Sequence, residues 1–340
     1  MLVAAGAVCL AAAPAALAEP QAVEPYTLGD VERLDPAIDD LIPEGAEIEV
    51  LADGFQWCEG PVWDKRNGVL LFSEIPGNTA YRWEEGAGLS VYLRPSGHTR
   101  GGAQSDEPGS NGLAIDPSGR LLLCQHGDRQ LAAMAAPLDE PQATYKTLAA
   151  EYDGKRFNSP NDLVVHSSGA IFFTDPPYGL AGKADDPARE LPFCGVYRLD
   201  PDGKVTLLVR DMTRPNGIAL SPDEKTLYVA QSDPDAPLIN AFDLTGELGV
   251  ANERVFFDAG ELLKERRGLP DGMAVDNDGV LFATGPGGVL VLSPEGEHLG
   301  TIRTGELISN CTFGDDGQTL YMTSDRYLCR VRTATKGLGF

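Results

Sequence analysis

A six-residue frame recurs six times along this chain: a polar residue, a small or acidic one, three mostly apolar residues, and a polar residue that opens a turn. It reads "EGPVWD" from Glu59, "NGLAID" from Asn111, "NDLVVH" from Asn161, "NGIALS" from Asn216, "DGMAVD" from Asp271 and, most weakly, "NCTFGD" from Asn310. Most copies lead through a Gly- or Asp-containing turn into a second strand such as "GVLLFSE", "AIFFTD" or "TLYVAQS". Frame starts lie 39 to 55 residues apart, the period of a four-stranded propeller blade. One blade can be followed through all its strands, as "DLVVH", "AIFFTD", "GVYRLD" and "VTLLVR" between Asp162 and Arg210. The fold class predicted is all-β, a six-bladed β-propeller.

After Asn310 only three strands fit, "CTFG", "TLYMTSD" and "YLCRVRT". The stretch "EIEVLADGF" before the first frame can supply the missing fourth, so an N-terminal strand, Glu47 to Gly54, is expected in the last blade, where it removes an exposed edge. Upstream, Val31, Leu34, Ile38 and Leu41 recur at helical spacing, which predicts an arm with a short helix over residues 19–46. The propeller domain is then 47–340, with no linker dividing it.

Residues 1–18, "MLVAAGAVCLAAAPAALA", read as a signal peptide ending in Ala-Leu-Ala, although no Lys or Arg precedes the apolar run. The expected location is periplasmic or secreted. No later segment is apolar for long enough to span a bilayer. A net charge of −24 disfavours nucleic acid and anionic membrane surfaces as partners. That leaves a small-molecule substrate, on a monomer or small homo-oligomer. Cys58, Cys124, Cys194, Cys311 and Cys329 follow the leader, an odd number with no CxxC pair, and read as scattered thiols rather than a zinc site.

In a propeller the innermost strand of each blade runs along the central channel, so equivalent frame positions sit at equal height around it. The first frame position is Glu59, Asn111, Asn161, Asn216, Asp271 and Asn310 in turn. Two carboxylates and four amides, with no Lys, His or Cys, form the hard-oxygen set that suits Ca²⁺, other divalent cations being possible. Asn and Asp also open turns for purely local reasons. Glu59 is a poor turn former, yet it holds the same place.

The motifs "EGPVW", "NGLAIDPSGRLLLCQHGDRQL", "FNSPNDLVVHSSGAIFFTDPPYGL", "RPNGIALSPDEKTLYVAQSD" and "PDGMAVDNDGVLFATG" together resemble the SMP-30/gluconolactonase family of calcium-dependent six-bladed propellers. The resemblance runs from about Pro43 onward. It implies metal ligands at Glu59, Asn161, Asn216 and Asp271, with Asn111 and Asn310 beside the ion or toward the substrate. It also implies a hydrolase that opens lactones, with Asp271 both ligand and proton acceptor. His126, in "CQHGD", is an alternative proton carrier or a structural histidine. Arg156, Tyr178 and Arg214 are candidates for contact with substrate hydroxyls. The loops "GHTRGGAQSDEPGS" and "YGLAGKADDPARELPF" are expected to act as lids. Within hydrolases the substrate stays open between a sugar lactone such as glucono-1,5-lactone and another lactone or ester, with phosphotriesterase side activity. A non-catalytic ligand-binding propeller is the alternative from another class.

Overall fold

The computed structural model describes residues 19–101 and 105–340. The expected leader at 1–18, with Cys9, lies outside the described residues. Apart from a two-stranded ribbon of Glu151–Tyr152 and Lys155–Arg156, six antiparallel sheets follow one another in chain order. Their innermost strands are Cys58–Asp64, Ser110–Ile115, Leu163–Val165, Pro215–Leu220, Met273–Val275 and Asn310–Gly314. Each inner strand contacts the next, and the sixth contacts the first, so the sheets close a ring. Among the described residues helix is confined to one α-turn, Gly260–Leu263, and two 3-10 turns. No described helix is long and apolar enough to cross a membrane.

The core is divided among six clusters, one between each pair of neighbouring blades. This follows from the alternation of side chains along a strand. Leu70 and Phe72 in Val69–Glu74 pack toward the sixth blade, while Val69 and Leu71 pack toward the second. Both faces of such a strand are buried, which is why the second strands read as nearly continuous apolar runs rather than alternating ones.

The first four blades have four strands each, whereas the last two have five. Ile48–Asp53 pairs with Tyr327–Arg332 of the sixth blade, and Gln21–Thr27 pairs in turn with Ile48–Asp53. Asp30–Arg33 adds to the outer edge of the fifth blade against His298–Arg303. The helical spacing of Val31, Leu34, Ile38 and Leu41 is therefore not one helix. Val31 lies in a strand, Leu34 is exposed, and only Pro36–Asp40 forms a 3-10 turn, capped by Asp35 accepting from the Ala37 N–H at 2.8 Å. Pro36 sets the turn, and the open edge of the fifth blade captures the residues before it.

The second frame position has a steric reason to be small. A Cβ on Gly60 would lie 2.1 Å from the carbonyl oxygen of Asn111, and one on Gly217 would lie 2.0 Å from that of Asp271. Inner strands crowd toward the axis, and only glycine lets successive backbones approach this closely. In the third blade the position is Asp162, whose carboxylate reaches across the channel instead. It accepts from Leu163 N at 2.9 Å and from Ile218 N of the fourth blade at 3.4 Å.

Candidate metal centre and binding cavity

At one end of the channel a cavity of about 720 Å³ is lined by Glu59, Asn111, Asn161, Asn216 and Asp271. Asn310, the sixth member of the ring, faces the channel beyond the floor of this cavity. Its Oδ1 accepts the Cys311 N–H at 2.8 Å, and its amide hydrogens are turned toward the carboxylates of Glu59 and Asp162. A side chain spent in this way has no oxygen to offer the cavity. The ring of six thus separates into five and one by hydrogen bonding, which the repeat alone could not resolve.

Three of the five are fixed from behind. Glu59 Oε2 accepts the Gly60 N–H at 3.2 Å. Asn216 Nδ2 donates to Ser232 Oγ at 2.8 Å, and Ser232 Oγ donates to the Pro270 carbonyl at 2.5 Å. This relay commits the nitrogen of Asn216 and leaves its oxygen on the other side. Asn161 is held by its backbone, donating to Thr174 O at 2.9 Å and accepting from Gly112 N at 2.7 Å.

The donor set fits a divalent cation. Asn111 Oδ1 and Asp271 Oδ1 are buried with no hydrogen-bond partner among the described residues, an arrangement that costs free energy unless something positive meets them. Burial holds the carboxyls of Glu59 and Asp271 well above the ordinary range; nearby Asp162 raises Glu59 further, and Glu59 raises Asp271 further. Two like charges confined together in this way are stabilised by a cation between them. No three His, Cys, Asp or Glu side chains gather at one point among the described residues, so such a centre must draw on amide oxygens. Hard oxygens of this mixed kind belong to Ca²⁺ chemistry.

Tyr178 also lines the cavity, and burial together with the charge of Asp271 raises its phenol. Arg156 and Arg214 do not. Arg156 is exposed, its guanidinium on the Asp128 carbonyl at 3.2 Å, and Arg214 is exposed with its carbonyl accepting Ser232 N at 3.0 Å. His126 is fully buried behind the wall, 3.7 Å from Glu107 Oε2, and burial, with the charge of Lys183, pushes it down to about 3. It is therefore neutral at physiological pH. All five described cysteines are buried and free.

Several wall residues were not singled out in the sequence. Trp57, Ile75, Leu263, Leu269 and Leu307 supply apolar surface, while Asp106 and Glu107 supply acidic surface. Arg267 is the single cationic side chain on the wall among the described residues. Asp106 and Glu107 sit inside the first expected lid, and an acidic pair in such a loop was the available signal. The second of these loops meets them: Lys183 Nζ lies 2.9 Å from Glu107 Oε1 and 2.5 Å from the Tyr178 carbonyl. Arg129 ties that loop to the third blade through Phe157 O at 2.7 Å and Ala188 O at 2.9 Å.

A closed six-bladed propeller with an oxygen-lined cavity at one end of its axis defines the class of protein. The profile of the SMP-30/gluconolactonase/LRE-like region matches residues 57–326, and the chain belongs to that family. It is 41% identical to a gluconolactonase of Zymomonas mobilis, over 92% of this chain and 88% of that protein. The solved structure of a gluconolactonase from Xanthomonas campestris superposes with a TM-score of 0.78 at 32% identity, covering 92% of this chain and 98% of that one. A regucalcin from Agrobacterium tumefaciens, described as calcium-binding, shares the fold with a TM-score of 0.63 at 18% identity, covering 84% of this chain and 92% of that one.

Proposed function

We propose that this protein is a Ca²⁺-dependent lactone hydrolase that opens sugar lactones such as glucono-1,5-lactone to the aldonic acid. The observation that carries the reading is the cavity that the carboxylates of Glu59 and Asp271 and the amides of Asn161 and Asn216 line together, with Asp271 Oδ1 left without a partner among the described residues. The 41% identity to a gluconolactonase supports the substrate class.

Glu59, Asn161, Asn216 and Asp271 would hold the cation, which supplies a Lewis acid for the lactone carbonyl and stabilises the oxyanion that forms when water attacks. Asp271 Oδ1 accepts the proton from the attacking water as the new C–O bond forms. The ring C–O bond then breaks, and the proton passes to the departing ring oxygen, giving a hydroxy acid. The Ser232 relay keeps Asn216 in one orientation through these steps, and Tyr178 closes the side of the cavity next to Asp271.

A second reading, a lactone carrying an apolar substituent, is favoured by the wall of Trp57, Ile75, Leu263, Leu269 and Leu307. Proton release measured over a panel of sugar and alkyl lactones, with and without a chelator, ranks the two. Activity that survives chelation would end the cation-dependent mechanism. On the reading of residues 1–18 as a leader we also place the protein outside the cytoplasm. Cell fractionation that finds it with cytoplasmic markers would overturn that placement.

A further inference from the structure

The two loops over the cavity meet at one carboxylate. Glu107 lies on the cavity wall, yet each of its oxygens faces a group outside it: Oε1 is 2.9 Å from Lys183 Nζ, and Oε2 is 3.7 Å from His126 Nδ1. Lys183 is itself anchored on the Tyr178 carbonyl at 2.5 Å. Neither ring nitrogen of His126 has a hydrogen-bond partner among the described residues, so the imidazole sits against Glu107 with nothing else to satisfy it. The other charged groups near Glu107 are Asp106 beside it and Asp271, which belongs to the fifth blade. Burial raises the Glu107 carboxyl, and Lys183 works against that shift.

Glu107 is thus braced from behind, lines the cavity, and still has 31% of its side chain exposed. A carboxylate has about four acceptor positions, and its neighbours leave some of these open. It stands four residues before Asn111 in the second blade, which lies across a six-bladed ring from the fifth blade and Asp271. A lactone whose carbonyl is held at the floor beside Asp271 has its ring substituents within the space that Glu107 faces. Fixed acceptors of this kind call for donors on the ligand.

We propose that Glu107 is a specificity-determining residue that accepts hydrogen bonds from the ring hydroxyls of the substrate, so that the cavity selects uncharged, hydroxylated lactones. This rests on the lactone hydrolase reading above. A lactone without hydroxyls leaves the braced carboxylate unpaired on binding, and a site built for a hydroxyl rejects the analogue that lacks it. A lactone bearing its own carboxylate meets Glu107 and Asp106 as like charges. The competing account is that Glu107 only latches the two loops through Lys183.

The test measures kcat/KM of wild type, Glu107→Gln and Lys183→Met on glucono-1,5-lactone, on δ-valerolactone, which has the same ring without hydroxyls, and on glucaro-1,4-lactone, a five-membered hydroxylated lactone that bears a carboxylate, with glucono-1,4-lactone as its uncharged control. The ratio between two substrates does not depend on how much of a variant is folded. Glu107→Gln should lower kcat/KM on glucono-1,5-lactone roughly 10- to 100-fold, chiefly through KM, the range expected for a hydrogen bond to a charged group. On δ-valerolactone it should change little, and on glucaro-1,4-lactone it should gain relative to glucono-1,4-lactone. Lys183→Met should leave the ratio of gluconolactone to valerolactone nearer to wild type than Glu107→Gln does. Equal losses on all of these lactones, reproduced by Lys183→Met, would establish the latch and overturn the proposal. A wild type inactive on every lactone would overturn the hydrolase reading, and the inference with it.

Discussion

Among single side chains, Asp271 carries the heaviest demand, because the mechanism proposed above uses it both to hold a cation and to accept a proton. Asp271→Asn keeps an oxygen of nearly the same shape but removes a charge and the basic site. At saturating Ca²⁺ its kcat should stay depressed by roughly 10²- to 10⁴-fold, the usual range for losing general base help. Full recovery with added Ca²⁺ would mean that Asp271 is a ligand only. His126 is the contrasting case. It is buried behind Glu107 and reaches no open part of the cavity, so His126→Gln should reduce kcat far less than Asp271→Asn. Its effect belongs to stability. The folded state holds its pKa near 3, below the ordinary value of 6.5, so the contribution is complete above about pH 6.5 and is lost as pH falls toward 3. The acid limb of a denaturation profile should therefore be shallower in His126→Gln by up to about one proton, or about 1.4 kcal/mol per pH unit. Parallel limbs would show that the histidine finds a proton in the folded protein. Of these residues, Asp271 was legible in the sequence because it repeats a frame position. Glu107 was legible only as half of an acidic pair in a loop, and which of the two matters emerges only when Lys183 and His126, distant in the chain, are packed against it.

The unit that repeats at the element scale is the mouth of each inner strand, a polar side chain followed in four of the six blades by a glycine that lets the next backbone close in. Gly217→Ala puts a methyl 2.0 Å from the Asp271 carbonyl oxygen, so either the fourth or the fifth inner strand must move. Overpacking of this kind costs about 1–3 kcal/mol or more. The melting temperature should fall by several degrees, and activity should fall further than stability because Asp271 is carried on the strand that moves. An alanine variant with unchanged melting and turnover would show that the strands have slack. These mouths were readable because local sterics write a glycine at four of them, Gly60, Gly112, Gly217 and Gly272. The arm departs from one helical run because its strands form against sheet edges outside it, Gln21–Thr27 on Ile48–Asp53 and Asp30–Arg33 on His298–Arg303, the latter some 270 positions away. Pairing of that kind leaves little local pattern, and the short run from Val31 to Leu41 mimicked a helical period by chance.

On the scale of the whole molecule, the six interblade clusters share the apolar burial, and the arm covers the outer edges of the last two blades. Removing residues 19–46 should expose those edges, lower the melting temperature and promote self-association, read by light scattering. An unaltered, monodisperse truncation would show the arm to be ornamental. A cation that binds only the folded ring should raise stability by about 2.7 kcal/mol at a hundred times its Kd, so chelation should lower the melting temperature of the full chain. The floor of the cavity has its own large-scale consequence. Asp162 and Asn310 lie in the channel beneath the chemistry, and the space on their far side is lined by a separate set of residues ending in Leu338 and Phe340. The propeller is a cup rather than a tube, and whatever enters neutral must leave by the same mouth as an acid. Newly charged product then climbs past Asp106 and Glu107, two walls of its own sign, so the step that makes it also supplies the push that ejects it and frees the cup for the next molecule.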